Sequence, residues 1–401
     1  MKTTEISMSI EQVDAWANDP HGPVALHLKQ NLAPVDDSRV IFPPTYADIG
    51  YNIDTLSDGT KVATIDSIGS QANRMEPLFK STEKNAEGEE LNPLARLIPQ
   101  IEILLDVKET DGEKYEKRQS LLDLAHRSAD AVVKATPELR QLIDPAFLEL
   151  HRHGNAWPLC ALAPTSLLFG VWDSRDGTGE KLPRLVRSMI RAWDVEILHS
   201  AAQFNSVWKA LSEEDQKALE AESKKKGKTK LSVAGLADAP AVFRTEKLDK
   251  YVNGAPNPEA RVLGGVLAKG RIERTVTINL VALRALKGST QEETQQLHTY
   301  LLTLALLAAT TEQELSLREG CLLRYADEKD TWTQVPRRGE PVPIEMPERD
   351  ELLQLANSAT EPFRAKWPRN ETRKAELLYK FDLKKAKELL SKKTEDEAGT
   401  S

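Results

Sequence analysis

Between Ile65 and Phe79 the chain reads IDSIGSQANRMEPLF, which places Asp66, Ser67, Ser70, Gln71, Asn73 and Arg74 close together beside recurring apolar residues. Ala72, Met75, Leu78 and Phe79 recur at helical spacing and mark the face that packs inward. Ser70, next to Gly69, is a good N-cap, and Gln71, Asn73 and Arg74 then fall on or beside the outward side of the first turn. A helix start presents unpaired N–H groups and favours anions, so with Arg74 and two amides the stretch suits a phosphate or a sugar. The competing reading is structural: capping plus a buried hydrogen-bond network in which Asp66 pairs with Arg74. Pro77 predicts a break or kink just beyond.

Two further segments carry cations next to glycines. Arg175, Lys181, Arg184, Arg187 and Arg191 surround the loop RDGTGEKLPR, and Lys269, Arg271 and Arg274 follow the glycines of GGVLAKGRIER. Guanidinium and ammonium groups beside a close-approaching backbone are what a phosphate-tracking site needs. Asp173, Asp176 and Glu180 partly neutralise the first cluster, so a solvated charged face fits it equally well. DGTGEK does not satisfy GxxxxGK[ST], which argues against a phosphate-loop nucleotide triphosphatase.

His126 and Asp130 are four apart, as a metal pair on a helix would be, but no third ligand lies nearby; His151 and His153 have no carboxylate partner in sequence. There is no GxSxG, no HExxH and no convincing triad. The expectation is a protein with no catalytic residues, no metal site and no cofactor.

The elements that must position these residues belong to a chain of 401 residues with 40% hydrophobic and 29% charged content, enough for two domains or one core with large insertions. Its net charge of −8 argues against gripping nucleic acid through bulk positive charge and leaves room for a local basic groove. Cys160 and Cys321 have no CxxC spacing and read as free buried thiols of a reducing compartment. The first residues lack a signal-peptide core, and the longest apolar run, Leu301 to Ala309, is about half the ~20 residues of a membrane span. A cytoplasmic, soluble location is expected.

Along the chain, residues 8–30 suggest a helix capped by Ser9. SRVIFPPTYADIGYNI is strand-like, SDGT at 57–60 is a hairpin signal, and KVATI is a strand. Residues 81–97 read as a polar loop, 120–135 as a strong helix and 165–174 as a strand, whereas LVRSMIRAWDVEIL is ambiguous. Residues 212–230 look like an exposed charged insertion. Thr275 to Leu280 alternate as a strand, a helix capped by Ser289 follows, and QELSLREGCLLRY supplies a last strand. Strand, helix, strand, strand, helix, strand is an α+β pattern of ferredoxin or RNA-recognition-motif type, interrupted by long insertions. From Glu361 to Lys393 there are 11 Lys/Arg against 5 Asp/Glu, within an amphipathic helical pattern. The expected organisation is a palm over 1–345, a helical C-terminal extension over 346–393 and a disordered acidic tail over 394–401.

The ordered blocks IDSIGSQANRME, AHRSADA, LLFGVWDSRDGTGEKLPRLVRSMIRA, LSVAGLADAPA, GGVLAKGRIERTVTINLVALRAL and LSLREGCLL resemble the Cas-seven-type backbone subunit of subtype I-G (formerly I-U) CRISPR Cascade, in the RAMP superfamily. The resemblance runs from about Val40 to Leu323. It implies an RNA-recognition-motif-like palm with inserted finger and thumb elements, the thumb within about 210–263. It also implies a non-catalytic subunit whose head-to-tail copies stack along CRISPR RNA and present it to a target DNA strand. The large subunit, a fused guide-end and processing subunit, and a recruited helicase-nuclease would be its partners, with no membrane. On this reading Ser70, Gln71, Asn73 and Arg74 contact backbone or 2′-OH groups, while Arg175, Lys181, Arg184, Arg187, Lys269 and Arg271 neutralise phosphates. Two alternatives stay open: a RAMP-type RNA-processing ribonuclease using His126 with Asp130 or His151 with His153, and a sheet-based assembly protein without nucleic acid.

Overall fold

The computed structural model describes residues 6–7, 10–46, 49–82, 90–108, 114–171, 181–200, 211–225, 231, 251–252, 255–256, 262–327, 329–368 and 377–389. Its centre is an antiparallel sheet. The strand Ala25–Pro34 pairs from Ala25 to Leu32 with Ile272–Asn279, which pairs in turn with Val186–Trp193. The other edge of Ala25–Pro34 is taken by two successive short strands, Cys321–Tyr325 beside Leu32 to Pro34 and Thr331–Val335 beside Ala25 to Lys29. The spatial order fourth, first, third, second strand is that of the ferredoxin-like βαββαβ unit, so the expected α+β class is the one observed. Lys61–Asp66 and Ile53–Thr55 extend the sheet beyond Val186–Trp193.

Alternation decides the faces. Leu26, Leu28, Gln30 and Leu32 point inward from one strand, Ile272, Arg274, Val276 and Ile278 from the next, and Val186, Ser188, Ile190 and Ala192 from the third. The helix Gln291–Thr310 lies over this face, and every residue from Tyr300 to Ala309 is buried. A helix that is apolar all round needs cover on all sides; Ile10–Asn18, Arg349–Arg364, Trp157–Leu162 and Pro164–Phe169 supply it within one core. The run Leu301 to Ala309 is therefore core, and among the described residues no helix is long and apolar enough to cross a membrane. A second, smaller core joins Ile65, Ile190, Ala192 and Ile272 to the sheet formed by Val40–Ile41, Val195–Ser200 and Val262–Ala268.

Several local expectations are corrected. The first helix is Ile10–Asn18; Pro20, Gly22 and Pro23 stop it, and the remainder of 8–30 enters the strand Ala25–Pro34. Residues 120–135 form no continuous helix. Ser120 and Asp130 bond to nearby backbone N–H groups, Arg127 sits at φ +53°, and only Ala131–Lys134 is α-helical. Of the supposed strand at 165–174, residues 165–169 belong to the buried helix Pro164–Phe169, started by Pro164 and ended by Gly170 at φ +75°, and 172–174 lie outside the described residues. LVRSMIRAWDVEIL resolves into the strands Val186–Trp193 and Val195–Ser200. Thr290, not Ser289, caps the long helix, its side chain accepting from the Glu293 N–H.

Beyond Arg364 the extension is not wholly helical: Leu377–Lys380 adds in parallel to the free edge of Ile101–Lys108, burying Leu378 and Tyr379. Of the candidate thumb, the helix Glu213–Ser223, with no buried residue, and fragments of strand are described. The span 394–401 and Arg175 lie outside the described residues.

Candidate nucleic-acid interface

Asp66 ends its strand and the helix Ile68–Met75 begins two residues later. Its N-cap is Ser67, whose Oγ accepts from the Ser70 N–H at 3.3 Å, so Ser70 is a first-turn residue rather than the cap. The helix ends at Met75 and tightens into the 3₁₀ turn Glu76–Phe79 around Pro77, the break that Pro77 predicted.

Within this helix the candidate residues divide. Gln71 is fully buried; its Nε2 donates to Asp66 (2.7 Å), and its Oε1 accepts from Ser188 (2.7 Å) and from Arg274 Nε (3.1 Å). It is a core residue with its hydrogen bonds met inside, which removes it from direct contact with RNA. Asn73 is exposed and accepts from Arg127. Arg74 is half-committed: Nε bonds Asp66 at 3.1 Å and Nη2 bonds the Leu317 carbonyl at 2.8 Å, with 28% of the side chain still exposed.

Behind the helix Arg274 is fully buried and donates to Gln71, Gln30 (2.5 Å) and the Ala309 carbonyl (3.2 Å); Gln30 continues the chain to Asp330 (2.8 Å). Burial pushes the Arg274 pKa down, with distant Tyr325 and Asp330 opposing it. Arg274 thus belongs to the packing that fixes the helix on the sheet.

Arg127 was not singled out by sequence reasoning. It is 4% exposed and pairs with Glu76, 1% exposed, at 2.7 Å. It also donates to the Gly170 carbonyl at 3.0 Å and lies over the Phe169 ring. Burial raises the Glu76 carboxyl to about 7, partly offset by Arg127. Arg184 packs beside Gly170, where a Cβ would meet its Cγ at 3.0 Å. Its pKa is lowered first by burial and then by the positive charges of Arg127 and Arg187. The fold therefore brings Arg127 and Arg184 together at Gly170, with the exposed Arg187 close enough to act on Arg184 and Lys181 exposed shortly before Arg184 in sequence. The only trace of Arg127 in sequence was its place in AHRSADA.

Lys269 and Arg271 occupy the turn at the far end of the same strand pair, roughly 20 Å from Arg187 at the rise of a β-strand. Both are exposed, yet each has partners: Lys269 bonds Glu196 at 2.6 Å, and Arg271 meets Glu273 at 3.5 Å and covers the Trp193 ring at 4.2 Å. Arg39 joins them by donating to the Gly270 carbonyl at 2.6 Å. The sequence-predicted cations thus form two groups, not one cluster.

The histidine pairs are otherwise employed. Asp130 caps Val132 and accepts from the His126 backbone N–H, and His153 faces Glu149. Among the described residues no group of three or more His, Cys, Asp or Glu is placed to hold a metal ion.

Residues 26–197 match the model of a family described as CRISPR-associated protein GSU0053. The match runs from the first core strand past Val186–Trp193 and includes Asp66, Arg74, Arg127 and Arg184. It indicates similarity to a CRISPR-associated protein family. No curated protein matches the sequence.

Proposed function

We infer that the chain is a guide-RNA-binding backbone subunit of a CRISPR surveillance complex, of the Cascade type and subtype I-G. Head-to-tail copies stack along CRISPR RNA and hold it for pairing with target DNA, while a separate helicase-nuclease cuts. The observation that carries this reading is the exposed Arg187 and half-buried Arg184 beside Arg127, which itself holds the exposed Asn73, within the span similar to a CRISPR-associated family. Cations around a helix face and a loop entrance suit a phosphodiester track, and sequence reading is then left to base pairing. A second basic group at Arg39, Lys269 and Arg271 gives the backbone another point of contact.

The subunit is proposed to be non-catalytic. Co-expression with a repeat–spacer transcript tests the whole reading. Expected is a nuclease-protected RNA in high-mass assemblies, with RNA retention lost when Arg184 and Arg187 are both changed to Ala. RNA-free monomers that ignore added guide would overturn it. Site-specific cleavage of repeat RNA that disappears in His126→Ala would replace it with the ribonuclease reading.

A further inference from the structure

Phe42 directly follows the strand Val40–Ile41 and presents a phenyl ring 37% exposed. Its backbone is held on both sides: the N–H donates to the Gly320 carbonyl at 3.1 Å, and the carbonyl accepts from Arg318 Nη1 at 3.2 Å. One edge of the ring lies against two glycines. A Cβ on Gly320 would fall 2.5 Å from Cδ2 of the ring, and one on Gly265 would fall 3.3 Å from Cε2. Both glycines have positive φ, +72° and +96°, so side chains are disfavoured there by backbone as well as by space. An outward-facing ring is thus wedged in place instead of turning into the core.

The surroundings are cationic on one side and apolar on the other. Arg318 also reaches Asp66 at 3.4 Å, and Asp66 holds Arg74, so two guanidiniums lie within a short chain of contacts from the ring. Leu322 and Val35, both exposed, are linked by a backbone hydrogen bond beside Gly320. Asp36, Asp37 and Glu319 are the nearby carboxylates in sequence, while Asp66 is already shared between two arginines.

The geometry points to Phe42 as a stacking platform for an unpaired nucleobase, with Arg318 and Arg74 facing the adjoining phosphodiesters. A fixed aromatic face next to cations is how single strands are held without regard to sequence. This assignment rests on the RNA-binding reading above.

Single-stranded RNA carrying 2-aminopurine at successive positions, titrated into full-length protein, tests it. The wild type quenches the probe at a defined position. Phe42→Leu keeps apolar volume but loses the π face, and weakens binding by roughly 5- to 150-fold, as expected for one stacked base, with the salt slope unchanged. Phe42→Tyr restores both quenching and affinity, and an abasic nucleotide at that position erases the difference between wild type and Phe42→Leu. Equal RNA affinity of wild type and Phe42→Leu would overturn the platform and leave RNA binding standing. Loss of RNA-free self-association in Phe42→Leu, with RNA affinity intact, would make the patch a contact between copies instead. A folded wild type that binds no RNA would overturn both readings.

Discussion

Arg74 and Asp66 are joined by a contact of 3.1 Å in which the carboxylate is 1% exposed and the guanidinium side chain 28% exposed. One end of the pair is buried structure and the other reaches the surface. The two readings open from sequence, salt-bridge partner and phosphate clamp, are therefore compatible in one side chain: Asp66 anchors Arg74 without enclosing it. The same carboxylate receives Gln71 and Arg318, so it ties helix, sheet and the Ser316–Arg318 strand together.

Asp66→Asn should be strongly destabilising. It leaves Arg74 and Arg318 without a counter-charge and places an amide opposite the Gln71 amide. Removal of one partner from a buried charged cluster costs about 3–5 kcal/mol. Urea unfolding monitored by circular dichroism should show the midpoint fall, with Gln71→Leu less than additive to it because the two share a bond.

Arg74→Ala should separate the two roles. Asp66 keeps Arg318 and Gln71, so the stability loss should be on the order of 1–3 kcal/mol, the size of a hydrogen bond to a charged group. RNA affinity per folded molecule should fall, and the slope of log K against log salt should become shallower by about 0.7 for one lost phosphate contact. A lower melting temperature with unchanged affinity per folded molecule would assign Arg74 to the core alone.

Glu76 predicts a pH dependence. Its folded pKa, about 7, lies above the ordinary 4.5 because burial outweighs Arg127. Between these values the folded state keeps a proton that the unfolded state has released, so stability falls as pH rises from 4.5 to 7 and levels off above. The full span is on the order of 3 kcal/mol. Glu76→Gln should match wild type near pH 4.5 and lack this slope, becoming relatively more stable by pH 7; parallel urea titrations across the range would reveal it.

Gly320→Ala and Gly59→Ala form a matched pair. Both positions have positive φ, +72° and +87°, so each substitution should incur about 1–2 kcal/mol of backbone strain. At Gly59 nothing lies within 4 Å, whereas at Gly320 the new Cβ meets Phe42 at 2.5 Å. The excess loss in melting temperature at Gly320 measures how firmly the ring is wedged, and 19F-labelled Phe42 should shift only in the Gly320 variant.

The core strands were legible because period-2 alternation is a local property. Ile272–Asn279 alternates buried and half-buried without a break, and its Thr and Val content suits a strand. The long helix was legible from its acidic first turn and apolar end. Pro164–Phe169 was not: six consecutive buried residues carry no period, so only the neighbours that surround them distinguish a helix from a strand. Residues 120–135 misled for a different reason. Their apolar spacing is helical, but Ser120 and Asp130 spend their side chains on local backbone N–H groups and break the run.

What the sequence by itself determined is the inventory: an α+β chain with a dense polar stretch after one strand and arginines beside glycines. Side-chain type and local periodicity carry that much. The division of the polar stretch was decided only in three dimensions. Gln71 and Arg74 are neighbours on one helix, yet the sheet places Ser188 and Arg274 against Gln71 and leaves part of Arg74 open. Burial depends on what packs from elsewhere in the chain, and Arg274 lies 203 positions away from Gln71. The same holds for Phe42, whose exposure follows from glycines at 265 and 320 that no local pattern connects to it.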